Sequence, residues 1–313
     1  MNSNNKIFIA GHKGLAGSAI HRKLIELGYT NLIVRNHEEL DLENQKATNA
    51  FFVKNKPEYV FLAAAKVGGI HANNTYKADF IYNNLMIQCN VINAAYENSV
   101  KRLIFLGSTC IYPRLCDQPM REESLLSGPL EPTNESYAIA KIAGVKMIEA
   151  YNLQHSTNYL AVMPTNMYGK NDNFNLENGH VLPVLIRRFH EAKQKNDKEI
   201  VLWGSGTAKR EFLHSDDMAD AVIFLAKQNK NPGLINVGTG QELSIRELAF
   251  LISDVVGFKG EIKFDSTKPD GTPRKLSNTS KINSLGWTPK IDLRKGLEET
   301  YKWMIDNADY YKK

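Results

Sequence analysis

The sequence predicts an α/β fold: a doubly wound parallel sheet followed by a smaller C-terminal lobe. Three observations predict it. Short apolar runs alternate with helical stretches from Lys6 to Met163, the rhythm of a parallel sheet covered by helices. The first run ends in a glycine-rich turn, Gly11-His12-Lys13-Gly14-Leu15-Ala16-Gly17, which opens a helix. Past Pro164 the alternation breaks down, and 313 residues with 42% hydrophobic content suffice for one large domain and an added lobe.

Lys6 to Ala10 is an apolar run, as suits a strand buried on both faces. Ala16 to Leu27 carries helical periodicity and stops at Gly28, a C-terminal signal. Asn31 to Arg35 reads as the second strand and Leu42 to Asn55 as the second helix, ended ahead of Pro57. Tyr59 to Ala65 is the third strand, Ala78 to Asn98 a long helix and Arg102 to Leu106 the fourth strand. Ser136 to His155 is helical and Tyr159 to Met163 is the fifth strand. Beyond it, Asn171 to Gly179 is polar and loop-like, Val181 to Lys195 helical, and Ile200 to Trp203 a strand. Ser215 to Lys227 is a helix, and Leu234 to Val237 a strand closed by Gly238. Ser244 to Val256 and Leu293 to Asn307 are late helices, while Lys268 to Arg274, with two prolines and a glycine, is a loop. The expected division is a Rossmann-type dinucleotide domain in residues 1–170, with 207–240 returning to it. The second lobe lies mainly in 171–206 and 241–313.

Net charge is +5 without a Lys/Arg block, the closest run being Arg187-Arg188. Nucleic acid calls for a clustered basic stripe, so no nucleic-acid partner is expected; mild basicity suits a small anionic substrate. Cys89, Cys110 and Cys116 are too few and scattered for a disulfide framework or a zinc site. A reducing compartment follows, with no metal. A strand starting near Lys6 leaves no room for a signal peptide, and no apolar run approaches the ~20 residues of a membrane helix. The expectation is a cytoplasmic protein with no membrane partner.

Glycines at 11, 14 and 17 permit a tight turn and close approach of backbone to a pyrophosphate facing a helix N-terminus. The tip of the second strand separates NAD from NADP: an acid there takes the ribose 2′-hydroxyl, a cation the 2′-phosphate. Here stand Arg35, Asn36 and His37, with Lys13 inside the turn and no acid at the tip. The reading is NADP(H), with Lys13 and Arg35 nearest the phosphate and Asp41 placed for the adenine edge. Leu15, and Ala63 to Ala65 and Pro164 at strand ends, complete the expected cofactor wall; the alanines equally suit tight sheet packing.

Tyr137 and Lys141 are four apart on a helix, hence on one face. A cation beside a phenol is expected to lower its pKa from about 10, giving a proton donor and acceptor usable near neutral pH. Ser108 follows Gly107 at the carboxyl end of the fourth strand, where ligands lie in open parallel sheets. With a dinucleotide on the first helix, the set reads as hydride transfer at a carbonyl carbon. Cys110 lies two residues past Ser108, on the same side if strand geometry persists; its thiol suits a base or, equally, a small buried hydrophobe. His180 is a second acid or base on the same footing.

Several segments carry a resemblance over nearly the whole length. They include Phe8-Ile-Ala-Gly-His-Lys-Gly14, Ala63-Ala-Ala-Lys-Val-Gly-Gly-Ile70, Gly107-Ser-Thr-Cys-Ile-Tyr-Pro113 and Glu131-Pro-Thr-Asn134. Further on come Tyr137-Ala-Ile-Ala-Lys141, Pro164-Thr-Asn-Met-Tyr-Gly169, Trp203-Gly-Ser-Gly206, Arg210-Glu-Phe-Leu-His214 and Lys268-Pro-Asp-Gly-Thr-Pro-Arg-Lys275. The chain resembles the GDP-L-fucose synthase family, bifunctional epimerase/reductases among the extended short-chain dehydrogenases/reductases. The resemblance implies that Ser108, Tyr137 and Lys141 form a reductase triad and that Cys110 and His180 are an epimerising acid–base pair. It implies that the substrate is a GDP-linked keto-sugar, epimerised at C3 and C5 and reduced at C4. It assigns Asn166, Arg188, Trp203, Arg210 and Arg274 to that substrate. His37 replaces an arginine common in the family near the ribose phosphate, which puts more of the NADP preference on Lys13 and Arg35. Relatives that act on GDP-heptoses in surface-polysaccharide synthesis, some only as C4 reductases, share these motifs and form the alternative. Extended relatives commonly dimerise through two helices per subunit, here Ala78 to Asn98 and Ser136 to His155, which implies a homodimer.

Overall fold

The computed structural model describes residues 1–268 and 271–311. The chain opens with β1 (Ile7–Ala10), α1 (Leu15–Glu26), β2 (Leu32–Ile33), α2 (Gln45–Asn55), β3 (Tyr59–Leu62), α3 (Ile70–Thr75) and α4 (Lys77–Glu97). Then come β4 (Arg102–Leu106), α5 (Glu135–His155), β5 (Leu160–Pro164), β6 (Asn166–Tyr168), α6 (Val181–Lys195) and β7 (Glu199–Trp203). β8 (Lys209–Arg210), β9 (Phe212–His214), α7 (Ser215–Lys227), β10 (Ile235–Val237), β11 (Leu243–Ser244) and α8 (Ile245–Val256) follow. The chain closes with β12 (Glu261–Asp265), β13 (Arg274–Lys275), α9 (Ser280–Ser284), α10 (Leu293–Asp306) and α11 (Ala308–Tyr311).

Six strands form one sheet in the order β10-β5-β4-β3-β1-β2, with every pairing parallel. The register Ala10↔Leu62↔Phe105 and Leu106↔Val162 brings the carboxyl ends of β1, β3, β4 and β5 to one edge. Because side chains alternate along a strand, Phe8, Val60, Leu103 and Phe105 pack on one face, and Ile7, Ile9, Phe61 and Ile104 on the other. Each such side chain, fully buried, contributes about 1.5–3 kcal/mol, which is why these strands read as unbroken apolar runs. A third core joins α6, α8 and α10 through Phe189, Leu248, Ile252, Leu297 and Met304. Beside it lie the parallel pair β7–β12 and the three-stranded sheet β11-β8-β13. α7 packs its Met218, Ala221, Val222 and Leu225 into the same cluster as Ala19 and Ile20 of α1.

Several elements differ from the sequence reading. β2 is two residues long rather than Asn31 to Arg35, because the chain leaves the ladder at the open edge of the sheet. α2 starts at Gln45, not Leu42: the Asn44 side chain accepts from the Ala47 N–H at 3.0 Å and caps it. β3 stops at Leu62, as Ala63 to Ala65 pass beside Gly11. α3, β12 and the parallel pair β6–β9 are not among the elements expected from the sequence. Of the expected loop Lys268 to Arg274, Pro269 and Asp270 lie outside the described residues, and Arg274 begins β13. Among the described residues no helix is long and apolar enough to cross a membrane.

Candidate active site

Gly11 adopts φ +84°, and a Cβ there would stand 2.7 Å from the Ala64 amide nitrogen. A Cβ on Gly17, buried in α1, would overlap the Gly11 carbonyl. Gly14 differs: a Cβ on it meets nothing nearer than 3.6 Å. The protein itself does not need glycine at 14; the open face above it does. Gly14 caps α1 without a side-chain hydrogen bond, so the first-turn amides, beginning with Leu15, are offered outward. That cradle fits a pyrophosphate. Lys13 and Arg35 are exposed beside it, and the Arg35 Nη1 turns back to donate to the Val34 carbonyl at 2.6 Å. His37 lies 3.9 Å from Asp41, both on the rim. The ring of His12, given no role by the sequence, reaches across to the Arg35 carbonyl. Ala63 donates its N–H to Ala10 at 3.1 Å, Ala65 follows it beside the cradle, and Pro164 pairs with Val237 at the end of β5.

At the end of β4, Ser108 caps a single 3₁₀ turn, Thr109 to Ile111, and its Oγ accepts from the Cys110 N–H at 3.2 Å. The turn, rather than continued strand alternation, brings Cys110 beside Ser108. This corrects the geometry expected from spacing. Lys141 is 3% exposed; its Nζ donates to the Leu106 carbonyl at 2.9 Å and lies 4.7 Å from the Phe105 ring centroid and 5.7 Å from that of Tyr137. Burial lowers its pKa to about 7. Burial, and then the electrostatic influence of Cys110, push the Tyr137 phenol upward, against a hydrogen bond with the Ser108 side chain. The expected lowering of Tyr137 is therefore overturned, because burial of the phenol itself disfavours its charged form. A phenol that keeps its proton is an acid, not a base, at neutral pH.

Cys110 has two further neighbours: Asn134 Nδ2 at 3.3 Å and Lys275 Nζ at 3.8 Å from its sulfur. His180 precedes α6 at the rim of the same cleft, reached by solvent on one side but crowded by protein on the others. Desolvation and, second, the Lys275 ammonium hold its imidazole below the ordinary range. Lys275 thus acts on both groups. Spacing could not reveal it or Asn134, because 165 and 24 residues separate them from Cys110.

The lobe brings up the remaining residues unequally. Asn166 opens β6, and its Nδ2 donates to the Glu211 carbonyl at 2.9 Å. Arg188 Nη2 donates to the Val201 carbonyl at 2.7 Å. Trp203 is 73% exposed, with Lys268 Nζ 5.7 Å from its ring centroid. Arg210 Nη2 lies beside Gly271. On β13 successive side chains point oppositely, so Lys275 faces Cys110 while Arg274 is drawn to Glu242 at 2.8 Å on the outside. His214, Asp216 and Glu299 hold possible ligand atoms within 4.8 Å of one another, yet Asp216 already pairs with Arg22 at 2.7 Å.

The sequence profile of the NAD dependent epimerase/dehydratase family matches residues 7–238. The chain is 60% identical over 303 residues to GDP-L-fucose synthase 1 of Arabidopsis thaliana, with 97% of this chain and 94% of that one covered. It is 53% identical over 319 residues to the GDP-L-fucose synthase of Escherichia coli (strain K12), with 99% of each covered. Among solved structures it is similar to a GDP-mannoheptose C4 reductase from Campylobacter jejuni with NADP bound. There the TM-score is 0.90 and the identity 43%, with 97% of this chain and 99% of that chain covered.

Proposed function

The chain belongs to the NAD dependent epimerase/dehydratase family, and from that premise we propose that it makes GDP-L-fucose: an NADPH-dependent epimerase at C3 and C5 and reductase at C4 of a GDP-4-keto-6-deoxy-sugar. The observation that carries this is the placing of the Cys110 thiol one turn from Ser108 and within the electrostatic reach of Tyr137. Identity is higher to the two fucose synthases than to the heptose reductase, which favours the hexose.

The amides around Gly14 and Leu15 take the pyrophosphate, and Lys13 and Arg35 take the ribose phosphate. The bound dinucleotide supplies the hydride. Arg188 and Arg210 suit the substrate diphosphate through their forked donors, and Trp203 offers a plane to the sugar or base. A C4 ketone acidifies the hydrogens on C3 and C5. Cys110 and His180 remove and return those protons on opposite faces, with the Lys275 ammonium between them. Ser108 and Tyr137 hold the C4 oxygen as negative charge builds on it. Tyr137, protonated by reason of its raised pKa, then gives its proton to that oxygen, and Lys141 beneath the ring is poised near pH 7 to restore it.

Residues 1–170 and 207–240 act as the cofactor half, and 171–206 and 241–313 mainly as the substrate half. Two copies pair in the cytoplasm through α4 and α5, whose outer faces expose Tyr82, Tyr96, Ile139 and Leu153. Sedimentation at twice the 35.3 kDa chain mass checks the pairing. The reaction is tested by NMR of the product formed from GDP-4-keto-6-deoxy-D-mannose and NADPH in deuterated water. GDP-L-fucose labelled at C3 and C5 is the expected outcome. Reduction without label makes the enzyme a plain C4 reductase and moves the search to GDP-keto-heptoses.

A further inference from the structure

Glu211 lies between the Arg210 and Phe212 positions that end β8 and begin β9, and it is fully buried. A buried carboxylate needs donors on both oxygens. Here Oε1 accepts from the Thr239 N–H at 2.7 Å and the Gly240 N–H at 2.8 Å. Oε2 accepts from the Ser277 N–H at 2.8 Å. A Cβ at Gly238 would occupy the place of Oε1, so the turn after β10 is shaped around this carboxylate. The main-chain carbonyl of Glu211 also accepts from Asn166. The side chain therefore ties two other segments, the 238–240 turn and Ser277, to the β8–β9 connection, making three that meet at one point.

The third segment carries Lys275. Its other face is held by the 118–120 loop, where the Met120 N–H donates to the Leu276 carbonyl at 2.7 Å and the Leu276 N–H to Gln118 Oε1 at 2.8 Å. Glu211 is the anchor on the opposite side. Without it the segment keeps its ladder to β8 at Lys275 and the 118–120 loop, but loses the tie at Ser277, two residues on, and a long lysine side chain loses rotamer definition readily.

We propose that Glu211 is a positioning residue for epimerisation, holding Lys275 between Cys110 and His180 through the backbone of Ser277. The inference rests on the reading of Cys110 and His180 as the acid–base pair. It assigns Glu211 no contact with substrate. Its effect travels by Lys275, whose ammonium lies 3.8 Å from the thiol and, second to burial, depresses the imidazole.

The test is a double-mutant cycle with Glu211→Gln and Lys275→Met, read as deuterium uptake at C3 and C5 of GDP-4-keto-6-deoxy-D-mannose. An amide keeps the size of the side chain yet presents an N–H where Ser277 needs an acceptor. Glu211→Gln should slow uptake about tenfold, the scale of one buried hydrogen bond lost. Lys275→Met should slow it at least as much, and the double variant should be no slower than Lys275→Met within about twofold. NADPH affinity, read by fluorescence, should stay within about twofold throughout. Uptake at the wild-type rate in Glu211→Gln overturns the proposal, as do multiplying effects in the double variant or an equal loss of NADPH affinity. Should the wild type itself take up no deuterium, the reaction assigned above fails first, and NMR titration of His180 decides for Glu211 alone. A midpoint moved upward by Glu211→Gln, as by Lys275→Met, upholds the tether; a fixed midpoint overturns it.

Discussion

The turn after β1 is made by consecutive residues, Gly11 to Gly17, and closed by a single local bond from the Gly14 N–H to the Gly11 carbonyl at 3.1 Å. The cleft around Cys110 is made by residues as much as 165 positions apart. The turn works through what its side chains lack, since a Cβ at Gly11 or Gly17 strikes backbone. The cleft works through what its side chains hold: a lysine at 3.8 Å, an asparagine at 3.3 Å, and a buried carboxylate behind them. A phosphate cradle needs only backbone shape, whereas moving protons on two faces of a sugar needs charges brought from separate elements.

Substitutions test that contrast. The largest effect belongs to Tyr137→Phe, at the border of the two regions. Loss of the acid should cut C4 reduction by about 10²–10⁴-fold while NADPH still binds. NADPH oxidation near the wild-type rate would remove Tyr137 from its role. Within the turn, Gly17→Ala should lower the melting temperature by several degrees and weaken NADPH, because overpacking against the Gly11 carbonyl costs about 1–3 kcal/mol. Gly14→Ala should leave melting near wild type and still weaken NADPH about tenfold, since its Cβ finds no protein neighbour within 3.6 Å and lies where phosphate would approach. Equal melting losses in the two would erase the distinction between a glycine for the fold and a glycine for a ligand. Arg35→Ala comes next and should weaken NADPH about tenfold more than NADH, the weight of one charge–phosphate contact. Equal losses for the two cofactors would place the phosphate elsewhere.

The smallest effect concerns Asp172, in the loop that leads from β6 to α6. It is 3% exposed, its Oδ2 has no hydrogen-bond partner, and burial raises its pKa from 3.8 to about 7. The folded state therefore holds a proton that the unfolded state releases between those values. The contribution to stability is complete below pH 3.8, declines as pH rises and is gone above about 7. Asp172→Asn should melt a few degrees higher than wild type at pH 8 and equally at pH 4. A gain that does not depend on pH would show that charge is not the cause.

Legibility followed the same divide. α6 and α7 begin and end where periodicity places them, because each is an amphipathic helix with a clear end. The six-stranded sheet was readable as apolar runs since both of its faces are covered. α3 was not, because it is a single short turn of helix begun by Gly69, which packs on Gly179 from another segment. β12 alternates only two apolar residues, Ile262 and Phe264, with charged ones, too short a signal alone, and gains its identity from pairing with β7. In the site, Ser108, Tyr137 and Lys141 could be placed by spacing on one strand end and one helix. The protonation of Tyr137 could not, because it depends on how deeply the phenol itself is buried and on Cys110 beside it. Lys275, Asn134 and Glu211 lie in segments that carry the resemblance, but nothing in their spacing gives them a role; only the folded chain sets them against Cys110 and one another.

The order of strands in the large sheet has a consequence for synthesis. β5 ends at Pro164, and its outer neighbour β10 begins about seventy residues later, after the whole of the α6–β9 region. At ribosomal rates of roughly 5–20 residues per second, β5 waits on the order of 4–14 seconds with one edge unpaired. An apolar strand with a free edge is a template for wrong partners. The nascent chain is thus open to mispairing along the free edge of β5 in the interval between the emergence of Pro164 and that of Val237.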